Sequence, residues 1–414
     1  MPKPSFQTYP RIHSCQSSFQ YYFWIDWLFF MKKIFLLLCI SFSLTGKAQP
    51  SDSIPSLLTD INVQIETTEG INSMYNFDFA RADGQFRWLR SKYPWHPLPH
   101  FLLGLSQWWR IMPYIPDTQY DEAFLTHMDS AILVAEHLYD RGSRIEGAFV
   151  LSAAYAFKGR LYSERKDWGK AAAAAKNAMN YLEEVRGKAE YSPEILFGDG
   201  LYNYYIEWIP DNYPMLKPLI MFFEDGDKEL GVQQLKEAAN NAFYTRTEAQ
   251  YFLMRIYAND LKDRRAALFT SEYLNHTFPN NAYFERYYAR ILYTSGKYRT
   301  CEAISLDILA KIDSSYAGYE ANSGRYAAFF LGEIYAAQDL SDTAEIYYKK
   351  CIEYGDEIGA EEMGYYIYSV LNLGEIERER GNDKEAKEYF KRVKKLADRS
   401  DRSHKLAKRY LKEM

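Results

Sequence analysis

Cysteine is scarce in this chain: four residues in 414, at positions 15, 39, 301 and 351. That excludes a disulfide-stapled scaffold and leaves no CxxC pair for redox or zinc chemistry. Missing too are a glycine-rich phosphate loop, a GxSxG elbow and an HExxH helix, the short signatures of nucleotide, acyl-transfer and zinc-protease chemistry. No stretch alternates polar and apolar residues for long enough to build a sheet. Beyond residue 48 no run is apolar enough for the roughly 20-residue span of a membrane helix. Positive charge is also short. The formal net charge is −5; residues 1–48 hold five basic side chains and one acid, which leaves 45 basic against 54 acidic, or −9, in the remainder. That balance lacks the basic footprint of a general nucleic-acid binder.

What is plentiful is aromatic side chain, 17% of the chain with 37 Tyr and 25 Phe, and a recurring interval. A compact residue is followed twelve positions later by another: Gly159 and Ala171, Met254 and Ala266, Ala289 and Cys301, Gly332 and Ala344, Gly374 and Ala386, with Met254 the one bulky member. Two helices approach closely only where side chains are small, so the interval predicts a helix hairpin built repeatedly. Three residues after the first small position stand Tyr162, Tyr257, Leu292 and Tyr335, one helical turn on. Seven after the second stand Ala178, Tyr273, Ile308, Cys351 and Val393, a mostly apolar face of the second helix. Cys301 and Cys351 occupy places where Ala is usual, and read as small core residues.

The last units carry a family pattern. Leu373, Gly374, Gly381, Ala386 and Phe390, and before them Leu331, Gly332, Tyr335, Ala344 and Tyr348, resemble the tetratricopeptide repeat, with Glu377 in place of an expected aromatic. The resemblance implies an all-α solenoid, a right-handed superhelix of antiparallel helix pairs with a period of about 34 residues. It divides the chain into divergent pairs over 55–241, interrupted by an insertion at 209–226, and repeats with a capping helix over 245–414. Helices are expected over 56–70, 76–92, 101–111, 121–140, 145–165, 168–186, 194–208 and 227–241. Four shorter pairs then follow at 246–276, 281–312, 325–354 and 364–397, and a closing helix at 401–413. Gly200 and Gly231 are 31 apart, the usual twelve plus the insertion.

Residues 1–48 read as a leader. From Met31 the chain runs MKKIFLLLCISFSLTGKAQ: two lysines, an apolar run Ile34–Leu44, then Gly-Lys-Ala before Gln49. This is the charged, apolar and small-x-small order of a signal peptide, with cleavage expected after Ala48 and residues 1–30 upstream of the true start. Export to the bacterial periplasm or cell envelope follows.

No catalytic constellation, cofactor or metal site is expected. His96 and His100 are four apart, but Pro97 and Pro99 deny them a shared helix. Asp225–Asp227 lacks the remaining ligands of a calcium loop, and Asp227 reads as a helix cap. The expected activity is protein or peptide binding on the concave face formed by the first helices. Residues one and four after the small position, and three and six before it, share that face. They give Tyr251, Arg255, Tyr283, Arg286, Arg290, Tyr293, Tyr326 and Glu333, rich in the Tyr and Arg that dominate interface hot spots. A carboxylate-bearing partner segment suits them. The alternative is a membrane-associated envelope factor. It would use the apolar insertion 209–224 (IPDNYPMLKPLIMFFE) and the basic C-terminus, where residues 384–414 hold 12 basic and 5 acidic side chains. The commoner reading of that basic run is the solvated face of a capping helix.

Overall fold

The structure, a computed structural model, describes residues 55–414 apart from 213, 215, 216, 218–220 and 222. The leader and most of the apolar run Leu216–Phe223 therefore lie outside the described residues. Among those described there are seventeen α-helices and no strand. None is long and apolar enough to cross a membrane.

The chain forms two compact units, residues 55–301 with 314–320 and residues 302–313 with 321–414. The first holds α1 (Ile61–Tyr75), α2 (Phe79–Lys92), α3 (Leu98–Ile111), α4 (Asp121–Asp140), α5 (Arg144–Glu164), α6 (Trp168–Val185), α7 (Ile195–Asn212), α8 (Lys228–Asn241), α9 (Arg246–Arg255), α10 (Arg264–Thr277) and α11 (Ala282–Thr294). Helix α12 (Tyr298–Asp313) carries the chain onward. The second unit holds α13 (Ala321–Ala336), α14 (Ser341–Glu357), α15 (Gly364–Glu379), α16 (Asp383–Leu396) and α17 (Arg402–Glu413). Within each unit helices pack chiefly on their neighbours in sequence.

Local chemistry sets the boundaries. Asp60, Asp78, Asp167, Asp227, Asp263 and Asn281 each turn a side-chain oxygen onto a backbone N–H of the first helical turn, the preferred N-cap arrangement. Helix α1 starts at 61 rather than at the expected 56 for this reason. The residues before it form an irregular, bent segment instead, with Leu57 and Leu58 buried. The Leu58 N–H donates to Glu146 at 2.9 Å, and Tyr244 Oη donates to the Leu57 carbonyl at 3.3 Å.

The hairpin turns repeat. Seven residues after the small position the backbone enters the left-handed region at Lys166, Gly296, Asp339 and Gly381, and five residues further on a small residue is buried: Ala171, Cys301, Ala344 and Ala386. The hairpin of α9 and α10 departs by one. Its left-handed residue is Lys262, eight after Met254, and the buried residues are Ala267 and Leu274. Ala266 is only half-buried and Tyr273 is exposed. The interval of twelve from Met254 to Ala266 is thus corrected to thirteen, ending on Ala267. A π-helical turn at Ile256–Asp260 absorbs the additional residue, as its i→i+5 bonds require.

In the first unit, contacts are not confined to neighbours, as they would be in an open solenoid. Helices α1 and α3 reach α9 and α11. The Trp109 ring lies 5.9 Å from Tyr251, 6.4 Å from Tyr283 and 5.1 Å from Phe284, and Asn281 Nδ2 donates to the Tyr75 carbonyl at 2.7 Å.

Buried glutamates at the starts of first helices tie these turns together. Glu194 accepts the N–H groups of Phe243, Tyr244 and Thr245 at 2.6–3.0 Å, satisfying donors just ahead of α9 that have no helical partner. Glu248 accepts from Trp109 Nε1 at 2.8 Å and Tyr75 Oη at 3.2 Å, and Glu285 accepts from Tyr319 Oη. Glu146 lies 3.0 Å from His96 Nε2. Because His96 Nδ1 accepts the Leu98 N–H at 3.1 Å, Nε2 carries the proton and donates to Glu146. Both ring nitrogens are thus engaged within the fold. Among the described residues no group of three or more His, Cys, Asp or Glu side chains is placed to hold a metal ion. Cys301 and Cys351 are buried, their thiols donating to the Ala289 and Tyr365 carbonyls at 3.4 and 3.7 Å, and burial pushes the Cys351 thiol up to about 11.

Candidate functional site

Six of the eight residues expected on the concave face belong to the first unit, and the structure sorts them. Tyr251 is 1% exposed, covered by Trp109. Tyr283 is half-buried, edge-on to Tyr251 at 5.6 Å and stacked on Tyr287 at 5.8 Å. Arg286, 7% exposed, donates to the Pro113 carbonyl at 3.0 Å and lies 3.6 Å from Glu320. It ties the short 3₁₀ turn Met112–Tyr114 to α11. Tyr293 is half-buried against Tyr298 at 5.8 Å. Arg255 and Arg290 remain half-buried. In the second unit, Tyr326 packs 4.8 Å from Tyr365, and Glu333 accepts from Tyr348 Oη at 2.8 Å and Asn372 Nδ2 at 2.5 Å.

Two of these residues, with one the face list omitted, form a cationic cluster. Arg255 on α9 and Arg160 on α5 both donate to Tyr251 Oη, at 2.8 and 3.3 Å. Burial opposes ionisation of this phenol, but the two guanidinium charges outweigh it and hold the hydroxyl below its ordinary value. Arg160 also lies over the Trp108 ring at 4.5 Å. On α11, Arg290 stacks on Tyr287 at 4.5 Å and donates to Asn259 Oδ1 at 2.5 Å and Tyr287 Oη at 3.2 Å. Aromatic faces suit guanidinium groups because the ring quadrupole attracts the charge while the planar cation stays weakly hydrated.

Two acids lie near them. Burial raises Glu164 above the usual carboxyl range despite the charges of Arg160, Arg255 and Arg165. Burial raises Asp260 likewise, against a hydrogen bond from Tyr204 and the charge of Arg255. Three arginines therefore stand among tyrosines and two acids whose carboxyls burial raises. A guanidinium group can present paired N–H donors to an anion.

Arg160 was legible. It follows Gly159 by one residue, as Arg255 follows Met254 and Arg290 follows Ala289. Asn259 and Tyr287 carried no such signal, because the π turn re-aims one and the other sits outside the face rule. The insertion contributes only its described ends. Helix α7 continues through Pro210 to Asn212, so that proline does not stop it, and Tyr202 Oη donates to the Glu224 carbonyl at 2.8 Å.

These features define an all-helical, repeat-like protein with an arginine–tyrosine cluster in its first unit. No protein-family model matches the chain, and no curated protein matches it in sequence.

Proposed function

We propose that this chain is a tetratricopeptide-type repeat protein. It acts as a non-enzymatic scaffold that holds a carboxylate-bearing segment of a protein partner at Arg160, Arg255 and Arg290. The repeat reading is supported by the left-handed turn and buried small residue that recur at one spacing in five hairpins, the π turn adding one residue to one of them. The binding reading is carried by three half-buried arginines from α5, α9 and α11 set over aromatic rings.

Fluorescence anisotropy with a library of acidic peptides tests it. The variant carrying Arg160→Ala, Arg255→Ala and Arg290→Ala should bind the best peptide about 100-fold more weakly or worse, since hydrogen bonds to charged groups contribute about 1.5–3 kcal/mol each. Residual binding should respond less to salt once the screened charges are gone. Helical circular dichroism of the variant should match the parent. Equal affinity and equal salt dependence would place the binding surface elsewhere.

We also infer export, from the leader beginning at Met31. N-terminal sequencing of the protein from its native cell should start near Gln49. An intact Met1 in a cytoplasmic fraction contradicts this.

A further inference from the structure

The charge along the chain is strongly divided. Residues 384–414 hold 12 basic and 5 acidic side chains, a net +7, so the rest of the chain beyond residue 48 sums to −16 against its total of −9. In the second unit this basic stretch is a packed helix pair. Helix α16 buries Ala386, Phe390 and Val393, while α17 buries Ser403, Ala407 and Tyr410. Phe390 and Tyr410 meet at 4.9 Å between ring centres. With the apolar stripes spent on each other and on α15, the outward surface is left to the cations.

Few of those cations are neutralised. Lys391 pairs with Glu388, Arg409 with Glu413, and Arg392 lies 3.6 Å from Asp356. Lys384, Lys394, Lys395, Arg402, Lys408 and Lys412 are exposed and enter no ion pair among the described residues. No large apolar side chain of α16 or α17 is exposed beside them. A run of unpaired like charge raises self-repulsion, and an opposing anionic surface relieves it.

From this we propose that the outward surface of the α16–α17 pair is a peripheral docking face for an anionic phospholipid bilayer. It is independent of the arginine cluster. Contact would be electrostatic and reversible, with lysine ammonium groups set against lipid phosphates. The side chains favour lipid over nucleic acid. Lysines outnumber arginines eight to four in the stretch, Tyr410 is buried, and no exposed aromatic is offered for base stacking.

Co-sedimentation of the full chain with vesicles tests the proposal. One set is pure phosphatidylcholine and the other contains about one third phosphatidylglycerol; the basic leader is the same in parent and variant, so the comparison between those two isolates the α16–α17 cations. The anionic vesicles should bind more strongly, and the excess should vanish at about 0.5 M salt, where screening is short-ranged. Each cation near such a surface strengthens partitioning roughly fivefold. The variant carrying Lys394→Gln, Lys395→Gln and Lys408→Gln should therefore lose the excess by about 100-fold, with neutral-vesicle binding and the thermal melt unchanged. Equal binding to both vesicles, or an undiminished excess in the variant, overturns the proposal. So does tighter binding of a DNA duplex than of anionic vesicles, or a salt-sensitive self-association that the same substitutions abolish, since either assigns the face to another occupant.

Discussion

Replacing Glu248 by alanine should lower the unfolding free energy by about 3–5 kcal/mol, because two buried donors lose their acceptor and a void is left. Glu248 is 4% exposed, and its carboxylate receives both Trp109 Nε1–H and Tyr75 Oη–H. These donors come from α3 and α1, so the residue fastens the first helices of the unit to α9. Glu248→Gln keeps an oxygen that can accept from both and should cost much less. The pH dependence gives a second signature. Burial raises the Glu248 carboxyl, outweighing the bonds from Trp109 and Tyr75 and the charge of Arg160. The folded state therefore keeps this proton to higher pH than the unfolded chain. Its contribution to stability is complete below the ordinary carboxyl range and is lost as pH rises through the folded value. Glu146 has the opposite sign. Burial pushes it up, but the bonds from His96 Nε2 and the Leu58 N–H bring it net below the ordinary value. Its contribution is present above the unfolded value and is lost as pH falls. Urea melts across the acid range should show Glu248→Gln flattening the decline toward neutral pH and Glu146→Gln flattening the loss in acid. A parent and a Glu248→Ala variant with equal midpoints at every pH would remove Glu248 from this role.

The Gly231→Ala substitution should be among the most damaging single methyls at the described glycines. A Cβ there would stand 2.6 Å from the Tyr204 nitrogen and 2.8 Å from the Gly200 carbonyl oxygen. Both are backbone atoms of α7, so the contact is relieved only by separating α7 from α8. A loss of about 3 kcal/mol or more is expected, at or above the upper end for overpacking. At Gly374 the same methyl meets the Phe390 ring at 2.7 Å, a side chain that can tilt, and the loss should be nearer 1 kcal/mol. Gly84, inside α2, has nothing within 4 Å of its ideal Cβ. There alanine should add about 0.5–1 kcal/mol through helix propensity alone. Chemical denaturation of the three variants should rank them in that order. Equal losses at Gly231 and Gly374 would mean that α7 and α8 are not in this close contact.

The hairpin spacing shows how much could be read along the chain. The small residues at Gly159, Ala289, Gly332 and Gly374, and their partners twelve positions on, mark helix contacts because such a contact is set by side-chain size within one local hairpin. Even the insertion did not hide the contact of Gly200 with Gly231. The reading slipped by one residue at α9. There Met254 and Ala266 fit the interval, but the π turn moved burial to Ala267 and Leu274. Nothing in the residue types of Ile256–Asp260 announces an i→i+5 turn, which arises from how the helix is packed rather than from local propensity.

The functional face divides along the same line. Helical periodicity placed Tyr251, Arg255, Tyr283, Arg286 and Arg290 on one side of α9 and α11, because periodicity is a property of each helix alone. Whether that side is open depends on what lies opposite it. Trp109 and Pro113, distant in sequence, cover Tyr251 and hold Arg286, while Arg160 comes from α5 to share the Tyr251 hydroxyl with Arg255. The sequence by itself therefore determined the helices, their caps and the hairpin contacts, which rest on interactions within a few turns of chain. Only the tertiary structure decided which arginines stay partly exposed and which became structural, because long-range packing settles which solvent-facing stripe is covered and by what.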